Sequence, residues 1–175
     1  GKNVKILPYR RKDLLIFKNF QWENNYLSGL TSNDINHWNT DDWKKLFKKN
    51  SNKATINGFT VRRINDDSFF GYVKILNINE SNKHCRLSIG FQNLNNDELY
   101  MIETLNLVLN YIFKKVDMHK VSLSVNSFNT GTVSICTKVG FKLENTSKDE
   151  YCFENNWMNI DNYIIFKDDY LAQQK

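Results

Sequence analysis

The strongest constraint on the fold is a helix-like stretch held between two strand-like ones. From Asp97 to Val116 the chain reads DELYMIETLNLVLNYIFKKV. Met101, Leu105, Val108 and Ile112 recur there at helical spacing, and Leu109 and Val116 widen the stripe. HCRLSIGF precedes it at 84–91 and HKVSLSV follows it at 119–125. A helix that carries the chain from one strand to the next in a single sheet forms a right-handed crossover. These two strands are therefore expected to be parallel neighbours.

The flanking segments fill in the plan. VKIL at 4–7 reads as a short first strand, and residues 14–30 have helical spacing with Gly29 near the end. Thr40 can cap a second helix, DDWKKLFKKN, whose first turn is acidic. Strands are expected at 54–64, 68–78 and 84–91. The first two are followed by the turns NDDS and NESNK, which makes an antiparallel meander. Beyond the crossover, a helix over 130–139 should stop at Gly140, and two strands, 141–145 and 161–166, should close the chain. There is no internal repeat, Pro8 is the sole proline, and the seven glycines are dispersed, so residues 1–175 read as one domain. The class is α/β with a mixed sheet.

Composition removes other classes. With 41% hydrophobic and 14% aromatic residues the chain can build a core, so disorder as a whole is excluded. No apolar run approaches the roughly 20 residues of a membrane helix, and GKNVKILPYRRKD lacks a signal-peptide core. Cys85, Cys136 and Cys152 are an odd number without CxxC or metal spacing, which points to reduced thiols in a cytoplasmic protein and to no metal site. The net charge of +5 permits an anionic partner, but the lysines are scattered and WKKLFKKN reads as the solvated face of a helix. Nucleic acid is disfavoured on that ground.

Several segments in this order resemble the GNAT acetyltransferase superfamily, and within it the ribosomal-protein alanine N-acetyltransferase branch. FGYVKI resembles the family's strand that begins with Gly, and LSIGF its central strand. LNYIFKKVDMHKVSLSVNSFNTGTVSICTKVGF resembles the helix, strand, Asn-x-x-Ser and Lys-x-Gly-Phe block, with Thr132 standing for the Ser. YCFENNWMNIDNYIIF resembles the closing hairpin with its aspartate, here Asp161. The resemblance implies a central mixed, mostly antiparallel sheet with a V-shaped splay, flanked by about four helices. It implies acetyl-CoA as acyl donor and an amine on a small molecule or peptide as acceptor. Some members of the family dimerise, which leaves a homodimer open.

The resemblance also implies where the donor lies. Its pantetheine arm would pair like an added strand beside LSIGF, bringing in Phe91 and Asn93. Its pyrophosphate would rest on backbone N–H groups at the start of the crossover helix, at Leu99, Tyr100, Met101, Ile102 and Glu103. Asn129 matches the family's helix-opening Asn, which contacts pantetheine, and it is equally a good N-cap. With Thr132 it completes the expected donor site. Cys136 stands where many members carry the tyrosine that protonates the leaving thiolate; an ordinary thiol could donate there, or could simply be core. Ser88 stands where members carry an acid able to act as base, and a serine there can position water. Of the histidines, His84 and His119 are titratable candidates, with a structural reading favoured for His119. His37, with Trp22, Trp38 and Trp43, falls where the family borders its acceptor pocket, though tryptophans at helical positions are more often core.

One departure cuts across this match. The family's phosphate loop is glycine-rich, and here no glycine occurs between Gly90 and Gly131, while Asp97 and Glu98 are acidic. Glycine lets backbone approach phosphate without a Cβ in the way. Acids in a first helical turn are otherwise ordinary. The main expectation is thus an acetyl-CoA-dependent N-acetyltransferase acting on a protein N-terminus, a small amine or an amino sugar. The second is a catalytically degenerate relative that binds a ligand or a protein.

Overall fold

The structure is a computed structural model, and the residues described in it are 1–8, 13, 58–91, 97–153 and 155–174. The helices expected at 14–30 and 41–50, the strand start at 54–57, His37, Trp22, Trp38, Trp43 and Asn93 lie outside the described residues. Seven strands form one sheet: β1 (Val4–Pro8), β2 (Gly58–Arg63), β3 (Phe69–Asn79), β4 (His84–Phe91), β5 (Lys120–Asn126), β6 (Lys142–Phe153) and β7 (Asn156–Phe166). Their spatial order is β1-β2-β3-β4-β5-β7-β6. Only β4 and β5 are parallel; every other pair is antiparallel. The sheet is mixed and mostly antiparallel, as the meander and the single crossover required.

Local chemistry explains the turns. The β2–β3 connection is fixed by Asp66, whose Oδ1 accepts the Ser68 N–H at 2.9 Å, and Asp67 takes the left-handed conformation. The β3–β4 turn uses Asn79 Oδ1 in the same way, on the Asn82 N–H at 2.8 Å. The crossover is helix α1 (Glu98–Tyr111), followed by a π-helical turn over Ile112–Val116 that the periodicity did not announce. Met101, Leu105, Val108 and Ile112, the predicted stripe, are all fully buried. They pack on Val73, Ile75, Cys85, Leu87, Val121 and Leu123 of the central strands. Helix α2 (Thr130–Val139) starts and stops where expected. Asn129 Oδ1 caps it by accepting the Thr132 N–H at 3.1 Å, and Gly140 ends it at a φ of 101°.

The C-terminal region departs from expectation. β6 and β7 are far longer than 141–145 and 161–166 because polar side chains pair across them. Thr146 Oγ1 donates to Asp161 Oδ1 at 2.6 Å, and Asn162 Nδ2 donates to Asn145 Oδ1 at 2.8 Å. A short helix, α3 (Lys167–Ala172), follows β7 and was not expected at all. Tyr170 anchors it, buried against Phe113 with its hydroxyl donating to the Asn106 carbonyl at 3.0 Å. Three α-helices lie within the described residues, against about four expected for the whole chain.

Candidate active site

The parallel seam between β4 and β5 is short. His84–Leu87 pair with Lys120–Leu123, and no pairing continues beyond Leu87 and Leu123. The strands part there, which is the V-shaped splay. Every second backbone N–H and C=O of the following β4 residues points toward the gap and has no strand to meet. A cavity of about 220 Å³ occupies the opening. Its walls come from β3 (Leu76, Asn77), β4 (Arg86, Leu87, Ser88, Ile89), β5 (Leu123, Ser124, Val125, Asn126), the start of α2 (Asn129, Thr132) and Ile160 of β7.

Three predicted site residues meet in this cavity: Ser88, Asn129 and Thr132. The Ser88 hydroxyl is buried and finds no hydrogen-bond partner. A hydroxyl in that state costs about 1–3 kcal/mol and is available to a ligand or a water. Asn129 does both things the sequence allowed, since it caps α2 and lines the cavity. Phe91 is not among the residues that line the cavity. Its ring is buried and packs against Phe70 with centroids 5.2 Å apart, while its main chain forms the end of the parted β4.

Cys136 is placed elsewhere. It is completely buried, does not line the cavity, and burial pushes its thiol up to about 12. Proton transfer from such a group to a thiolate of ordinary thiol pKa, near 8.5, runs uphill. His84 and His119 are exposed at the closed end of the β4–β5 seam, away from the opening.

The start of α1 corrects the expected phosphate cradle. The N–H groups of Tyr100 and Met101 are already donated to the Asp97 carbonyl, at 2.9 and 3.2 Å. Those of Ile102 and Glu103 fall within the helical ladder, so only the Glu98 and Leu99 amides precede it. The Met101 side chain is core, Tyr100 packs edge-on against Phe70 at 5.7 Å, and Ile102 packs against the core, whereas Leu99 is exposed. The Glu103 carboxylate accepts from the Asn3 N–H at 3.0 and 3.1 Å, from Asn3 Nδ2 at 2.7 Å and from the Val4 N–H at 3.4 Å, which ties α1 to β1. Desolvation raises that carboxyl, but the hydrogen bonds from Asn3, Val4 and Lys2 outweigh it and hold it below the ordinary glutamate value.

Both acids that looked hostile to phosphate have cationic partners. Arg63 Nη2 meets Asp97 Oδ2 at 2.7 Å, with the guanidinium lying over Phe70 at 4.9 Å from the ring centre. Lys138 on α2 pairs with Glu98. The helix start is therefore close to charge-balanced, and its dipole still favours an anion. Among the described residues no cluster of His, Cys, Asp and Glu is placed to hold a metal ion. No described helix is long and apolar enough to cross a membrane.

A profile described as acetyltransferase (GNAT) domain matches residues 5–142. The chain belongs to the GNAT acetyltransferase family. As a GNAT acetyltransferase it takes its acyl group from acetyl-CoA and delivers it to a primary amine. Among curated proteins it is 22% identical over 179 residues to spermidine N(1)-acetyltransferase of Escherichia coli K12, covering 99% of this chain and 91% of that one. Among solved structures it matches spermidine N-acetyltransferase of Vibrio cholerae, in complex with CoA and spermine, with a TM-score of 0.86 and 19% identity over 98% of this chain and 99% of that one. That structural likeness carries the fold. These relatives act on polyamines, and they give no support to the ribosomal-protein alanine branch that the motif block suggested.

The sequence reading missed Arg86, Ser124 and Asn126 as wall residues. Their signal was present in strand alternation. Cys85, Leu87, Leu123 and Val125 turn into the core beneath α1, so Arg86, Ser88, Ser124 and Asn126 emerge on the opposite face of the sheet.

Proposed function

We propose that this GNAT acetyltransferase acetylates a small primary amine rather than a protein N-terminus, at the β4–β5 opening. The observation that carries the reading is the orphan Ser88 hydroxyl in a cavity walled by the parted strands. The full-length likeness to two spermidine acetyltransferases supports a small acceptor.

The donor fits the residues present. The free edge of β4 beyond Leu87 accepts a pantetheine arm as a short extra strand. Asn129 and Thr132 line the same opening, and the Glu98 and Leu99 amides at the α1 start face an anion with a favourable dipole. The amine nitrogen bonds to the thioester carbonyl carbon, the carbon–sulfur bond breaks, and the proton lost by nitrogen goes to solvent as the thiolate leaves. Ser88 holds the water that relays this proton, since a serine alone is a weak base. Cys136, buried and held protonated, keeps its side chain in the core. Three free thiols fit a reducing, cytoplasmic setting.

The test is thiol release from acetyl-CoA with spermidine, other small amines and a peptide N-terminus as acceptors. Turnover with small amines and none with the peptide is expected. Turnover with the peptide alone overturns the small-acceptor reading. Absence of turnover with every amine, together with no thermal shift on adding CoA, overturns the site.

A further inference from the structure

Arg86 has no role in the fold that accounts for its position. It sits on β4, opposite Leu76 of β3 and Ser122 of β5, half-buried, and its side chain lines the cavity. No hydrogen bond or ion pair to its guanidinium occurs among the described residues. Among the described wall residues there is no carboxylate either; they are apolar, amide or hydroxyl apart from Arg86 itself. An unpaired, half-desolvated guanidinium is costly unless an anion meets it, and its planar fork is suited to a carboxylate or a phosphate.

Its place relative to the donor is informative. Helices α1 and α2 lie on the face of the sheet to which Cys85 and Leu87 turn, and the pyrophosphate site at the α1 start is on that side. Arg86 alternates to the other face with Ser88, Ser124 and Asn126. The acceptor must approach the thioester from the side the donor does not fill. Arg86 is thus on the acceptor's side of the opening, next but one along the strand to the orphan Ser88 hydroxyl.

We propose that Arg86 selects an acceptor in which the reacting amine sits close to an oxyanion, an α-amino carboxylate or an amino phosphate ester. This deepens the small-amine reading above and rests on it. The guanidinium pairs with the oxyanion and orients the amine toward the thioester. Its positive charge also disfavours the ammonium form, and only the free amine can attack. A polycationic acceptor meets repulsion at the same spot, so the acceptor class differs from that of the spermidine enzymes which this chain is similar to.

The experiment compares kcat/KM in the thiol-release assay for matched pairs: leucine against leucinamide, and phosphoethanolamine against ethanolamine, with spermidine as the polycation. The full-length protein and its Arg86→Gln and Arg86→Glu variants are used, with CoA-induced thermal shifts confirming that each variant folds and binds donor. The wild-type chain is expected to favour at least one anionic member of a pair by 10-fold or more. The leucine arm identifies a carboxylate and the phosphoethanolamine arm a phosphate. R86Q should bring that ratio close to one, and R86E should raise spermidine above the anionic amine. Equal rates within both pairs, an unchanged ratio in R86Q, or wild-type preference for spermidine overturns the inference while leaving acetyl transfer to small amines intact. Failure of every amine tested to release thiol removes the small-amine reading and this inference with it.

Discussion

Replacing Glu103 separates its two assigned roles, donor contact and structural tie. Its carboxylate receives three contacts from Asn3 and one from the Val4 N–H, all in partly or fully exposed surroundings. Hydrogen bonds to a charged group contribute about 1.5–3 kcal/mol each when well shielded, and solvent reduces exposed ones to a fraction of that. Taking the cluster as one shared tie, Glu103→Ala should cost about 2 kcal/mol. For a chain of this size that corresponds to a drop of about 4–8 °C in Tm. Glu103→Gln, which keeps an acceptor but not the charge, should lose about half as much. The sign of the pH dependence follows from the depressed carboxyl: the contribution is present above the ordinary glutamate value and is lost as pH falls through the lower folded one. The gap in Tm between wild type and E103Q should therefore close under acid conditions. Thermal unfolding across pH, paired with acetyl-CoA saturation kinetics at 25 °C, reads both roles. A raised KM for acetyl-CoA with an unchanged Tm would refute the structural assignment and restore Glu103 to the donor site.

Other expectations are equally direct. Thiol titration of the native chain should show one fast-reacting cysteine, Cys152, with Cys85 and Cys136 reacting only on unfolding; three fast thiols would contradict their burial. Burial pushes both buried thiols up to about 12, so above about pH 9 the unfolded chain ionises them and the folded chain does not. Stability should fall there by up to about 1.4 kcal/mol per pH unit for each thiol, and Cys85→Ala with Cys136→Ala should flatten the fall in a denaturant titration. Glu98→Gln removes an acid from the α1 start and releases Lys138, so KM for acetyl-CoA should fall about 2–5-fold; a rise would show the pair to be needed for the helix start. Gly140→Ala places a Cβ 2.4 Å from the Gln173 side chain and at a φ of 101°, so about 1–2 kcal/mol of stability should be lost in thermal unfolding.

What could be read in advance was the part governed by repeating pattern. The Met101, Leu105, Val108 and Ile112 stripe fixed the crossover helix, and that fixed the one parallel pair. Asn129 and Gly140 marked the ends of α2 because caps are local chemistry. The long β6–β7 hairpin escaped because NTSKD and NNWMNI carry no apolar alternation; their pairing rests on partners such as Asp161 and Asn162, which are remote in sequence. Helix α3 escaped because six residues are too few to show a period, and Tyr170 shows its purpose only once Phe113 and Asn106 are beside it. At the site, the family pattern named Ser88, Asn129 and Thr132, and the structure places all three on one cavity. It also assigned amides at 100–103 that the helix had already used, because hydrogen-bond competition is invisible to spacing. Arg86 was missed for a different reason: a cation on a strand becomes notable only when the described residues around it offer no anion.

The four-rung seam between β4 and β5 has a consequence for the protein's survival as well as its chemistry. Antiparallel pairs tie β1 to β4 on one side and β5 to β7 on the other, but only His84–Leu87 and Lys120–Leu123 stitch the two blocks together within the sheet. The molecule should therefore open first along that line, and backbone amides of Ser88–Phe91 should exchange with solvent sooner than those of β3. A donor that docks as an extra strand, as proposed above, would lie across the open end of the seam and close it. At a hundredfold excess over its Kd, such a ligand adds about 2.7 kcal/mol to stability. Resistance to limited proteolysis should then rise when acetyl-CoA is added, most of all for cleavage near the β4–β5 line.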